Sequence, residues 1–235
     1  MQMIQLNESG WAKSYLIFEK NSGKAAIIDP VYDFVNDYLT KIDTMGLKLE
    51  MCIATHTHAD HITGCFTIAE STGCDYVMWH STASLGVTKY VSEESELTLG
   101  DEKITFYHVP GHTEDSMLVV TAKHVFTGDF LFTGDGGVGR DDLPSGRMQS
   151  HFDSLKVMSK LSGDLLVCTG HEAPGVEFQT LSWNRQHNPV LNMSEFKEYV
   201  EWQNNTTEQL GYVSKIKVAL PANLFAEIPD DVPWL

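Results

Sequence analysis

The run Thr55-His56-Thr57-His58-Ala59-Asp60-His61 constrains this chain more than any other stretch. Three imidazoles and a carboxylate within six consecutive residues cannot share one face of a helix or a strand. The run must therefore be a loop that turns its side chains onto a common point, and a metal ion is the natural occupant. Neutral imidazole and carboxylate suit zinc, iron or manganese, and the order His-x-His-x-Asp-His divides naturally between two adjacent metal positions. A polar surface run beside a turn is the plain alternative. It fits poorly, because Met51-Cys52-Ile53-Ala54 leads straight into the run and puts it at the mouth of a buried strand.

The device recurs downstream. Lys103 to Val109 reads as a strand ending in Pro110-Gly111-His112, His124 to Phe126 as one ending in Thr127-Gly128-Asp129, and Leu165 to Val167 as one ending in Cys168-Thr169-Gly170-His171. Each ends in glycine and then a residue able to bind metal. Glycine permits the close approach needed where several strand ends converge. A single such tripeptide says little, but together with His56 to His61 they outline one site.

The remaining pattern is α/β. Ser14 to Phe18 and Ala25 to Ile28, joined by Asn21-Ser22-Gly23-Lys24, read as a hairpin. Phe34, Val35, Tyr38, Leu39 and Ile42 recur at helical spacing between Val31 and Met45, with Gly46 as the stop. Leu47 to Ala54 is the strand that delivers the histidine loop, Gly64 to Ser71 a short helix and Tyr76 to Trp79 another strand. The acidic patch Glu93-Glu94-Ser95-Glu96 reads as a solvated connection. Phe152, Leu155, Met158 and Leu161 mark an amphipathic helix, and Glu195 to Gln209 marks another. The segment beyond Gly211, with Pro221, Pro229 and Pro233, is expected to be a loop-rich tail of about residues 212–235. Gly134 to Leu143 is a glycine-dense loop suited to a binding wall; it lacks the spacing of a dinucleotide or phosphate loop. Alternating strands and helices suggest two sheets packed face to face with helices outside. His80, His108, His124, His151 and His187 lack a partner motif and are expected to pack or face solvent.

A length of 235 residues fits one large domain, here 1–235. A net charge of −16 argues against nucleic acid or an anionic membrane as partner. The start Met1 to Glu8 has no signal-peptide pattern and no apolar run spans a bilayer, so a cytoplasmic location is expected. Cys52, Cys65, Cys74 and Cys168 form no Cys-x-x-Cys pair and read as buried thiols.

With these motifs in view, the chain resembles the metallo-β-lactamase superfamily. His56, His58, Asp60 and His61 match its His-x-His-x-Asp-His motif, and His112, Asp129 and His171 match its later ligands. The resemblance implies an αββα metallo-β-lactamase-like sandwich. The second half is similar to persulfide dioxygenases at Thr127-Gly128-Asp129, at Gly139 to Leu143, at Thr180 to Pro189 and at Leu220-Pro221-Ala222-Asn223. It departs from glutathione-using members at Gly134 to Gly139 and at Glu172-Ala173-Pro174, where the thiol carrier would sit. The resemblance implies Fe(II) held by His56, His112 and Asp129, with His58, Asp60, His61 and His171 orienting those ligands or holding a second metal. The substrates would be a low-molecular-weight persulfide, such as glutathione persulfide, and O2, and a homodimer is compatible with the pattern. The alternative is a hydrolase of the glyoxalase II type with one or two zinc ions: His56, His58 and His112 on one metal, Asp60, His61 and His171 on the other, and Asp129 between them. A third reading, a non-catalytic metal-binding module, sits badly with a cluster that has no paired cysteines. Arg140 either pairs with a carboxylate of the thiol carrier or forms a salt bridge with Asp141 or Asp142.

Overall fold

In the computed structural model, which describes residues 1–7, 12–93, 95–173 and 175–234, two sheets face each other. The first runs in the order β1 (Gln2–Gln5), β2 (Tyr15–Phe18), β3 (Lys24–Ile28), β4 (Lys48–Ile53), β5 (Asp75–Trp79), β6 (Lys89–Val91). It opens antiparallel through the β2–β3 hairpin and continues parallel from β3 to β6. The second sheet contains β7 (Glu96–Leu99), β8 (Glu102–His108), β9 (Met117–Val120), β10 (His124–Gly128) and β11 (Leu166–Thr169), antiparallel except for the β10–β11 pair.

Side chains two apart on a strand share a face, and that rule builds the layers. Tyr15 and Ile17, Ala26 and Ile28, Met51 and Ile53, Val77 and Trp79 meet Ile104 and Phe106, Met117 and Val119, and Phe126 between the sheets. The opposite face of the first sheet, with Ile27, Cys52, Tyr76 and Met78, packs on α1 (Val35–Thr44) and α2 (Cys65–Thr72). The opposite face of the second, with Leu118, Val120, Val125 and Val167, packs on the segment from α3 (Met148–Ser154) through α4 (Leu181–His187) to α5 (Phe196–Leu210). The result is the expected αββα sandwich. All four cysteines are buried free thiols, and among the described residues no helix is long and apolar enough to cross a membrane.

Three expectations need correction. The amphipathic pattern from Phe152 to Leu161 is α3 followed by a 3-10 turn at Leu155–Ser159, which still buries Leu155 and Met158. In the acidic patch, Glu96 opens β7 and pairs with Lys103 at 3.0 Å, while Glu94 lies outside the described residues, as do Glu8 and Pro174. The segment after Gly211 is not all loop: it contains α6 (Ile216–Phe225), with Pro221 inside it. Proline removes one helical hydrogen bond, but the helix buries Ala219 and Ala222 against Ile62 and Val232, and that burial outweighs the lost bond.

Candidate metal centre

Four strand ends deliver the site. The loop after β4 carries His56, His58, Asp60 and His61; the turns after β8, β10 and β11 carry His112, Asp129 and His171. Glycine makes the convergence possible at two points. Gly128 has φ +51°, and a Cβ there would sit 2.2 Å from Thr55 Oγ1; a Cβ on Gly170 would sit 2.2 Å from Asp129 Oδ1.

Four of the imidazoles, those of His56, His58, His61 and His112, are oriented by a partner on one nitrogen, which leaves the other for a ligand. Thr55 Oγ1 donates to Asp29 Oδ2 at 2.8 Å, so it accepts from His56 Nδ1 at 2.9 Å. Among the described residues His56 Nε2 is then a buried lone pair without a partner. His58 Nε2 faces Asp29 Oδ1 at 3.3 Å and His61 Nδ1 faces both Asp60 oxygens at 3.2 Å, leaving His58 Nδ1 and His61 Nε2 buried and, among the described residues, unpartnered. His112 Nδ1 donates to the Arg140 carbonyl at 2.6 Å, with Nε2 3.7 Å from Asp129 Oδ2. Buried polar atoms are rarely left without partners. Here three ring nitrogens stand together in that condition, each with its tautomer set by a hydrogen bond on the far side, as metal-binding histidines have. The donor set therefore fits a metal ion.

The ligand atoms fall into two groups. Those of His56, His112 and Asp129 lie within 4.8 Å of one another, as do those of His58, Asp60 and His61. His171 joins them: its Nδ1 donates to Asp129 Oδ1 at 2.9 Å and its Nε2 to Asp60 Oδ2 at 3.0 Å. Burial opposes a charge on His171, but the two carboxylates outweigh it and raise its pKa well above the usual imidazole value. Burial likewise opposes charge on Asp129 and Asp60, yet the surrounding imidazoles hold both carboxyls below their usual range. His56 is driven well below an ordinary imidazole by burial and by its neighbours His58 and His112.

The centre opens on a cavity of about 550 Å³ walled by Phe132, Arg140, Leu143 and Tyr212 to Lys215. Arg140 is on that wall, but its Nε and Nη2 form a two-point fork on Asp142, both at 2.6 Å, and Nη1 donates to the Gly211 carbonyl at 2.7 Å. His151 is fully buried and contacts Phe130 O, and His187 stacks on Trp183, so both pack as expected.

Sequence reasoning assigned no role in the site to three residues that hold it, although Asn223 lies in a stretch that carries the resemblance. Asp29 orients Thr55 and His58. Asp115 accepts from Thr57 N and Oγ1. Asn223, on α6, donates to the carbonyls of His58 and His61 and accepts from Thr63 N, all at 2.9 Å. Asp29 carried a usable signal, an acid directly after an apolar strand; Asn223 lay in a segment read as loop.

The metallo-beta-lactamase superfamily model matches residues 12–171. Mitochondrial persulfide dioxygenase ETHE1 of Mus musculus is 29% identical over 215 residues, covering 90% of this chain and 82% of its own. The crystal structure of ETHE1 from Myxococcus xanthus matches with a TM-score of 0.88 at 30% identity, covering 96% of this chain and 99% of that one. Hydroxyacylglutathione hydrolase of Serratia proteamaculans is 27% identical over 157 residues, 66% of this chain and 60% of its own.

Proposed function

The chain belongs to the metallo-β-lactamase superfamily, and from that premise we propose that it is an iron(II)-dependent dioxygenase of low-molecular-weight thiol persulfides, glutathione persulfide being the type. One persulfide, one O2 and one water would yield one thiol, one sulfite and two protons. The observation that carries this reading is the cluster of His56, His112 and Asp129. Two imidazoles and one carboxylate are the donor set of the non-haem iron oxygenases, which leaves one face of the metal for other ligands. The similarity to ETHE1 proteins over most of the chain supports it.

Iron held by His56, His112 and Asp129 would supply the redox chemistry that activates dioxygen towards the persulfide sulfur. The rest is done by the chain. Thr55 and Asp29 aim His56 Nε2, and the Arg140 carbonyl aims His112 Nε2. His171 donates to Asp129 Oδ1 and so leaves Oδ2 turned towards His112. Phe132, Leu143 and Val213 make the cavity wall apolar and limit water around the reacting sulfur.

A second reading, a dinuclear hydrolase, is favoured by the His58, Asp60 and His61 group and by the similarity to hydroxyacylglutathione hydrolase. Metal stoichiometry separates the two. Protein prepared with Fe(II) without oxygen is expected to hold about one iron per chain and to consume O2 only when persulfide is added. Two tightly bound metals, thioester hydrolysis and no persulfide-dependent oxygen uptake would overturn the dioxygenase.

A further inference from the structure

We infer that Lys215 is the group that selects the thiol carrier, by pairing with an anionic group of the substrate remote from its sulfur. The inference rests on the persulfide reading and deepens it. Among the described residues lining the metal cavity, the cationic side chains other than histidine are Arg140 and Lys215. Arg140 is the obvious anchor from sequence, but the fork with which it would grip a carboxylate is already on Asp142, and its Nη1 ties down the Gly211 carbonyl. A substrate carboxylate would have to displace Asp142 from a bidentate pair, the strongest geometry a guanidinium makes.

Lys215 is placed differently. It follows the turn between α5 and α6, four residues after the carbonyl that Arg140 holds, and it forms no ion pair with any described carboxylate. Its Nζ lies 4.6 Å from the centroid of the Trp234 ring. A contact with an aromatic face does not neutralise the ammonium, so its charge stays available to an anion. Tyr212, two-thirds exposed, and Val213 share the same wall, so a carrier would meet an apolar surface ending in one positive charge. Arg140 and Asp142 then act as positioning residues, fixing the start of the turn that presents Lys215. An ammonium is a point charge and accepts either a carboxylate or a phosphate, so an acidic peptide thiol and a phosphopantetheine thiol share the required chemistry.

The test uses unreactive thioethers and iron-loaded protein without oxygen. S-methylglutathione carries carboxylates, S-methylphosphopantetheine carries a phosphate, and S-methylpantetheine carries neither; binding is read by calorimetry and by tryptophan fluorescence. Unmutated protein is expected to prefer one or both anionic probes over the neutral one, with an affinity that falls as salt rises. Lys215→Gln should weaken the preferred anionic probe roughly five- to tenfold, about 1 kcal/mol, abolish its salt dependence, and leave iron content and affinity for the neutral probe unchanged. Lys215→Arg should restore most of the loss. Which anionic probe responds identifies carboxylate or phosphate as the recognised group. Equal weakening of all three probes, or no weakening of any, would overturn the inference. Oxygen uptake by unmutated protein with glutathione persulfide is measured separately: its failure would remove the dioxygenase reading while leaving the anion site to stand or fall on the binding data.

Discussion

Asp129 and Asp60 both accept from His171, yet they belong to different groups of potential ligands. Their substitution should therefore have different consequences. Asp129→Asn removes the only carboxylate from the His56 and His112 group, so iron should be lost on gel filtration and oxygen uptake should nearly vanish. Asp60→Asn removes a partner of His171 and His61, and affinity for iron should fall only about tenfold, the scale of an orienting contact. Equal loss of iron from both variants would show that the ligands do not divide as proposed. At this scale most of the site was legible in the sequence. His56, His112 and Asp129 announce themselves by residue type and by their position after apolar strands. Asp29 and Asp115 did not, because their role depends on which loop lies across from them.

At the scale of elements, α6 is the part whose function is least visible in the amino-acid pattern. It is a cover for the metal loop and also its clamp. Asn223 is 2% exposed and satisfies two carbonyls and one N–H of the loop between His58 and Thr63. Asn223→Ala leaves those three groups buried without partners, which should lower unfolding free energy by roughly 1–3 kcal/mol and weaken metal binding at least about tenfold. Asn223→Asp keeps the acceptor for Thr63 N but loses both donated bonds, and should be no better. Urea unfolding and metal titration of the two variants check this; unchanged metal affinity in both would reduce α6 to a lid without influence on the ligands.

The whole molecule shows a third consequence, in how stability varies with pH. Behind the His112 turn, Asp141 is 3% exposed and accepts from Tyr199 Oη at 2.8 Å; burial, with Asp142 beside it, lifts its pKa to about 6. His151, 0% exposed, is pushed down to about 3 by burial. Folded Asp141 holds its proton between about pH 4 and 6 while the unfolded chain releases it, so its contribution to stability falls as pH rises through that window. His151 has the opposite slope, because below about pH 6.5 the unfolded chain takes up a proton that the folded one refuses. The two partly cancel. Asp141→Asn removes one of them, so it should stabilise the protein by roughly 1–3 kcal/mol above pH 6, with the gain vanishing near pH 4. Urea unfolding of both proteins from pH 4 to 7 reads it directly; a difference that does not change with pH would show that Asp141 is not titrating in the folded chain.

What the amino-acid sequence determined by itself is the metal-binding donor set and the layered architecture. Apolar alternation places a side chain on one face of a sheet whatever its neighbours are, and His-x-His-x-Asp-His can satisfy its own buried nitrogens in few ways other than with a metal. The tertiary structure decided what depends on distance between segments far apart in the chain. It put Asp29 under His56 and His58, drew Asn223 across about 160 residues to the metal loop and turned the fork of Arg140 onto Asp142. It also folded a segment containing Pro221 into a helix. Local propensity disfavours that helix, but its buried face and the hydrogen bonds of Asn223 are worth more than one missing backbone bond, and both exist only once the two sheets have brought the histidine loop to meet it.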